Sequence, residues 1–177
     1  MDILEVINKR YSYRGTYQET KVPREHLEMI LKAGLAAPSG CNKQTTSLIA
    51  VDDETILKQL QEVIPIKTGK TAPAMICVLT KKIIAHDAVT YYVQDYAAAI
   101  ENMLLVIEDI GYATCWVEGQ VTGPDKVGRK MAEILGVPEE YDLVCMLPLG
   151  VAAEECKRRE KLPFEERAWF NHFGGEK

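Results

Sequence analysis

Gln94-Asp95-Tyr96-Ala97-Ala98-Ala99-Ile100-Glu101-Asn102-Met103-Leu104-Leu105-Val106-Ile107-Glu108-Asp109-Ile110-Gly111 reads as one long helix with a stop at its end. Its polar residues come in pairs seven apart: Gln94/Asp95, Glu101/Asn102 and Glu108/Asp109. Seven residues is close to two helical turns, so the pairs stack into one narrow polar stripe. The rest of the surface is apolar, and a helix apolar over most of its circumference is buried on most sides. A small domain has difficulty covering so wide a face, which points to a partner subunit. Gly111 suits a left-handed C-terminal cap. Beyond it, Cys115-Trp116-Val117 reads as a strand and Glu118-Gly119 as a loop at the end of that strand.

Outward from this helix, strands and helices alternate. Asp2 caps a first helix carrying Ile3, Leu4, Val6 and Ile7, which ends near Lys9. Pro23 opens a second, with Leu27, Ile30, Leu31 and Leu35 on its apolar face. Ser47–Val51 is a strand, Glu54–Val63 a helix, and the unbroken apolar run Ala74–Leu79 a buried strand. Pro124–Leu135 reads as a helix closed by Gly136, and Asp142–Gly150 as a further core strand. The pattern is α/β or α+β, with helices packed around a sheet. The 177 residues fit one domain, 1–177, without a linker, repeat or low-complexity segment.

The net charge of −5 argues against a nucleic-acid surface. No run of about 18 uncharged apolar residues suggests a membrane span. Met1-Asp2-Ile3-Leu4-Glu5 lacks the basic start of a signal peptide, so a cytoplasmic protein is expected. The five cysteines have no C-x-x-C spacing and the three histidines are scattered, which does not suggest a metal site. Cys77, Cys115 and Cys145 lie in apolar runs and read as core residues.

Two basic clusters stand out in this acidic chain. In Arg10-Tyr11-Ser12-Tyr13-Arg14, an extended backbone turns Arg10, Ser12 and Arg14 to one side. Two guanidinium groups around a hydroxyl suit a phosphate. The alternative is that the arginines satisfy helix-terminal carbonyls. Lys157-Arg158-Arg159-Glu160-Lys161, ahead of Pro163, repeats the arrangement with Arg159 and Lys161. Ala36-Ala37-Pro38-Ser39-Gly40-Cys41-Asn42-Lys43-Gln44 is a loop of small residues and amides, fit for a planar polar ligand or for an ordinary turn. Lys67-Thr68-Gly69-Lys70 lacks Walker spacing and reads as a solvated loop.

These motifs, in this order, resemble the nitroreductase family of flavin mononucleotide (FMN) enzymes over nearly the whole chain. The resemblance rests on Arg10–Arg14, on Ala37–Gln44, on Glu101–Leu105 leading to Gly111–Gly119, and on Leu147–Gly150 followed by Arg159–Glu166. It implies an α+β fold with a central, mostly antiparallel sheet surrounded by helices, and an intertwined homodimer with two flavins at its interface. It implies that Arg10, Tyr11, Ser12 and Arg14 bind the flavin, with Arg159 and Lys161 at its phosphate. Pro38, Ser39 and Asn42 come from the partner subunit, Gln44 is a further contact, and Val117, Glu118 and Gly119 lie against the ring. NADH or NADPH is the implied electron donor, and nitroaromatics, quinones or activated alkenes the acceptors. The flavin carries the chemistry, so no catalytic side chain is expected. The chain departs from the usual family pattern at Tyr11, Tyr13, Thr45-Thr46 and Val151-Ala152, positions that bear on the acceptor pocket. Two other readings remain: a flavin carrier or sensor without turnover, and a hydrolase using Cys41.

Overall fold

The computed structural model describes residues 2–175; Met1, Glu176 and Lys177, the ends of the expected domain, lie outside the described residues. Helix α1 (Ile3–Lys9) starts where Asp2 Oδ1 accepts the Leu4 N–H, and α2 (Arg24–Leu35) starts just after Pro23. After β1 (Thr46–Val51), Asp53 caps α3 (Glu54–Val63) by accepting from Thr55 and Ile56. Strand β2 (Ala74–Thr80), a small hairpin of β3 (Ile84–His86) and β4 (Val89–Thr90), and the long helix α4 (Tyr92–Asp109) follow. Then come β5 (Ala113–Thr114), α5 (Val127–Ile134) and β6 (Asp142–Gly150).

The main sheet has the order β1-β2-β6-β5, and every pairing in it is antiparallel. Its two central strands are covered on both faces. Alternation along β2 divides its side chains between two cores, as the two-residue period of a strand requires. Ala74, Ile76 and Val78 face α2 and α4, against Ile30, Ile100, Met103 and Ile107. Met75, Cys77 and Leu79 face α3 and α5, against Leu57, Leu60 and Met131. A bulge at Val78/Leu79 shifts the register, so that Val78 pairs with Cys145 but Leu79 with Leu143.

α4 is the helix expected from the sequence, extended by two residues at its start. Gly111 closes it at φ +84°, with the Tyr112 N–H reaching back to the Ile107 carbonyl. The polar stripe has fixed partners. Asn102 Nδ2 donates to the Ala33 carbonyl, and Asp95 is buried. Beside α4, helix α1 leaves Ile3, Leu4 and Ile7 largely exposed.

Three expectations are corrected. The strand expected at Cys115–Val117 lies earlier, at Ala113–Thr114; Val117 makes a lone bridge to Met146, because Cys115 and Trp116 leave the ladder between them. The helix expected from Pro124 begins at Val127, because Lys126 at its N-cap is left-handed (φ +53°). In the loop read as solvated, Thr68 and Gly69 are buried. The β3–β4 hairpin was not expected at all.

Candidate functional site

The Arg10–Arg14 segment leaves α1 in extended conformation. The Arg10 N–H closes the helix on the Val6 carbonyl, while its guanidinium turns to α4, with Nε 3.4 Å from Glu101 Oε1. That Nε is buried and, although ion-paired with Glu101, makes no hydrogen bond among the described residues. Tyr11 and Tyr13 meet edge to face (6.4 Å between centroids), the contact of alternate residues in an extended chain. Tyr13 is fully buried, and its N–H donates to the Thr114 carbonyl (2.8 Å). This carries Ser12 and Arg14 alongside Cys115. Burial raises the Cys115 thiol pKa, and Arg14 and a hydrogen bond to Ser12 oppose that rise, as their proximity requires. Arg14 is exposed.

The second basic cluster is brought beside the first. Arg158 stacks over the Tyr11 ring at 4.6 Å. Upstream, Glu154 Oε1 accepts the Thr16 N–H (2.8 Å) and hydroxyl (3.0 Å). Arg159 and Lys161 are exposed and, like Arg14, enter no ion pair among the described residues. Arg10, with its buried Nε, and the exposed Arg14, Arg159 and Lys161 thus stand on two segments that meet where Arg158 covers the Tyr11 ring. A phosphate, with its several acceptor oxygens, fits this donor set.

The Pro38–Gln44 loop lies elsewhere. Three of its residues have left-handed backbone: Cys41 (φ +49°), Asn42 (+54°) and Gln44 (+48°). Such conformations are unfavourable for residues with a Cβ and need external support. Asp95 of α4 supplies it. Its Oδ1 accepts the Gly40 N–H (2.8 Å) and its Oδ2 the Thr45 hydroxyl (2.7 Å). Gly40 lies so close to the Tyr91 ring that a Cβ would approach it to 2.5 Å. The Ser39 hydroxyl accepts from the Gln44 N–H. Pro38, Asn42 and Gln44 are left exposed. Among the described residues no hydrogen bond or ion pair joins this loop to either basic cluster.

Val117 is held in the sheet by both its N–H and its carbonyl, each bonded to Met146. The Glu118 carboxylate then turns back into the protein: Oε1 accepts the Tyr96 hydroxyl (2.7 Å) and Oε2 the Trp116 indole N–H (2.9 Å). Burial, then Glu118, pushes the Tyr96 phenol pKa upward, so it stays protonated and donates. Gly119 is exposed, with nothing within 4 Å of where a Cβ would stand. Beside Glu118 a half-open cleft of about 710 Å³ is lined by Tyr92, Tyr96, Val121, Lys126 and Leu143, within the size range of small-molecule sites.

Sequence reasoning did not find Asp95, Tyr96 or Thr45 as parts of this arrangement. The signal available for Tyr96 was an aromatic with a polar tip on a buried helix, which needs a partner. Cys41 is exposed, but the imidazoles near it in sequence are engaged elsewhere: His26 bonds the Tyr112 hydroxyl and His86 pairs with Asp87.

The sequence model of the family described as "Nitroreductase family" matches residues 7–68 and 65–151. A protein of Archaeoglobus fulgidus, provisionally named NADH dehydrogenase/NAD(P)H nitroreductase, is 30% identical over 155 residues, 87% of either chain. An FMN-dependent nitroreductase of Clostridium difficile R20291 superposes with TM-score 0.81 at 27% identity, covering 96% of this chain and 99% of that one. A nitroreductase with bound FMN from Bacteroides fragilis NCTC 9343 does so with TM-score 0.72 at 28% identity, covering 92% and 95%.

Proposed function

The chain belongs to the nitroreductase family, and from that premise we propose that it holds FMN and passes hydride from NADH or NADPH to a nitroaromatic, quinone or activated-alkene acceptor by turns. The observation that carries this reading is the convergence of the two basic clusters, joined by Arg158 on Tyr11. Arg10, Ser12, Arg14, Arg159 and Lys161 bind the flavin phosphate and ring edge, with Tyr11 as the surface that seats the tail. When bound, the flavin supplies the hydride chemistry; the protein binds, orients and tunes it. Val117, Glu118 and Gly119 give a rigid backbone edge against the ring. The cleft beside Glu118 is large enough for an acceptor or a nicotinamide.

The site is completed by a second copy. Pro38, Ser39, Asn42 and Gln44 stand on a supported loop apart from the basic clusters, as expected of residues given to the partner's flavin. The apolar residues Ile3, Leu4 and Ile7 on α1, Met29 and Leu35 on α2, and Leu162, Phe164 and Phe173 on the tail are exposed in the single chain. A homodimer covers them in an interface above roughly 2,000 Å². No helix among the described residues is long and apolar enough to cross a membrane, and we place the protein in the cytoplasm.

Purified protein incubated with excess FMN should turn yellow, release FMN rather than the adenine dinucleotide on heating, and bleach within seconds when NADH or NADPH is added without air. A colourless protein refutes the flavin reading. A yellow protein that neither donor bleaches is a carrier or sensor.

A further inference from the structure

The Glu118 carboxylate presents a problem if flavin lies against Glu118 and Gly119. Reduction adds negative charge to the ring system, and a free carboxylate a few ångströms away would oppose it. The structure disposes of both carboxylate oxygens. Oε1 is taken by the Tyr96 hydroxyl and Oε2 by the Trp116 indole N–H. Tyr96 is 4% exposed and is held in the core by its place on α4. The main chain is fixed independently, by the Val117–Met146 bridge and by the Thr122 N–H and hydroxyl on the Glu118 carbonyl (2.9 and 3.1 Å). The segment is thus pinned on one side by its backbone and on the other by its side chain, and Gly119 projects into open space between.

We propose that Tyr96 and Trp116 are positioning residues: by clamping the Glu118 carboxylate between them they keep its charge off the flavin ring and present the Glu118–Gly119 backbone to it. The inference rests on the flavin reading above. It concerns neither phosphate binding nor the acceptor. It assigns to two side chains that need not touch the flavin a share in setting how readily the bound flavin is reduced. Both donors are neutral and the phenol stays protonated, so they fix the carboxylate without cancelling its charge. Loss of either donor lets that charge swing toward the ring.

The test is the midpoint potential of the FMN-loaded protein, measured by anaerobic equilibration with a reference dye. Tyr96→Phe should bind oxidised FMN within about threefold of wild type but favour oxidised over reduced flavin by about a further tenfold, a fall of about 30 mV for two electrons. Trp116→Phe, which removes the other donor, should do the same, and it carries the test if Tyr96→Phe does not fold. Adding Glu118→Gln to either variant should restore the wild-type potential, because the freed side chain then carries no charge. A merely structural role would lower thermal stability and weaken both redox forms equally. Single variants with unchanged potential, or double variants that stay shifted, overturn the clamp. A wild-type protein that remains colourless in excess FMN overturns the flavin reading instead.

Discussion

Replacing Asp95 by Ala should be among the most damaging single changes in this protein outside its sheet. Asp95 accepts from the Gly40 N–H at 2.8 Å and from the Thr45 hydroxyl at 2.7 Å, and is 4% exposed. Hydrogen bonds to a charged group contribute about 1.5–3 kcal/mol each, so the pair is worth about 3–6 kcal/mol. Two terms reduce this. Removing a buried carboxylate recovers its desolvation cost. The loop, no longer latched, also relaxes part of the backbone strain at Cys41, Asn42 and Gln44. Thr45, 3% exposed, cannot turn its hydroxyl to water without opening the loop. The net loss is about 2–4 kcal/mol. At about 2–4 °C per kcal/mol for a chain of this size, the unfolding midpoint should fall by roughly 5–15 °C. Asp95→Asn should cost about 1 kcal/mol, since its amide keeps an acceptor for Gly40 and offers the Thr45 hydroxyl a donor instead. Thermal unfolding followed by circular dichroism, at one protein concentration and without flavin, measures both. An Ala variant within about 1 kcal/mol of wild type would refute the latch. On the proposal that the loop completes the partner's site, the Ala variant should also bind FMN more weakly.

Changing both Arg159 and Lys161 to Ala should weaken FMN binding at least about tenfold, taking the low end of the charge-assisted range for exposed groups; unchanged affinity in a fluorescence titration would make the tail a solvated face. Leu105→Glu places a charge on the half-buried side of α4 and should separate or unfold the proposed dimer with loss of flavin; light scattering at micromolar concentration reads the mass, and a folded wild-type monomer binding flavin tightly contradicts the shared site. Hydrogen bonds from Thr16 hold the Glu154 carboxyl below its ordinary value. A depressed carboxyl contributes stability present above the unfolded pKa and lost as pH falls through the folded one, so the contact of Glu154 with Thr16 should loosen as pH falls below the ordinary carboxyl range. Amide exchange at Thr16 should show this loosening, and Glu154→Gln should abolish the pH dependence.

The sequence made some of this molecule readable and concealed the rest for physical reasons. α3 and β6 fall at their expected bounds because Asp53 is a strong cap and because Leu143–Gly150 is buried on both faces. The exit of the chain from α1 at Arg10 was legible because the end of a short capped helix is a local property. The β3–β4 hairpin was not, since its two turn residues, Asp87 and Ala88, both adopt positive φ (+42° and +66°) without the glycine that announces such turns. Asp95 looked like one more member of a polar stripe. Its partners, Gly40 and Thr45, are 55 and 50 residues away, and no local pattern encodes that meeting. The start of α5 was misread because Pro124 is a good first helical residue, and nothing in the sequence shows that Lys126 is left-handed.

The strand order β1-β2-β6-β5 also has a temporal side. β1 and β2 can pair as a hairpin with α3 between them, but the other edge of β2 waits for β6. About 60 residues separate Thr80 from Asp142, and at ~5–20 residues per second a ribosome needs roughly 3–12 s to make them. For that interval Ala74-Met75-Ile76-Cys77-Val78-Leu79 has one unpaired edge and no charge to guard it. The nascent chain is therefore most vulnerable to intermolecular pairing between the emergence of β2 and that of β6, and α4, which arrives in between and packs on one face of β2, is placed to shield it first.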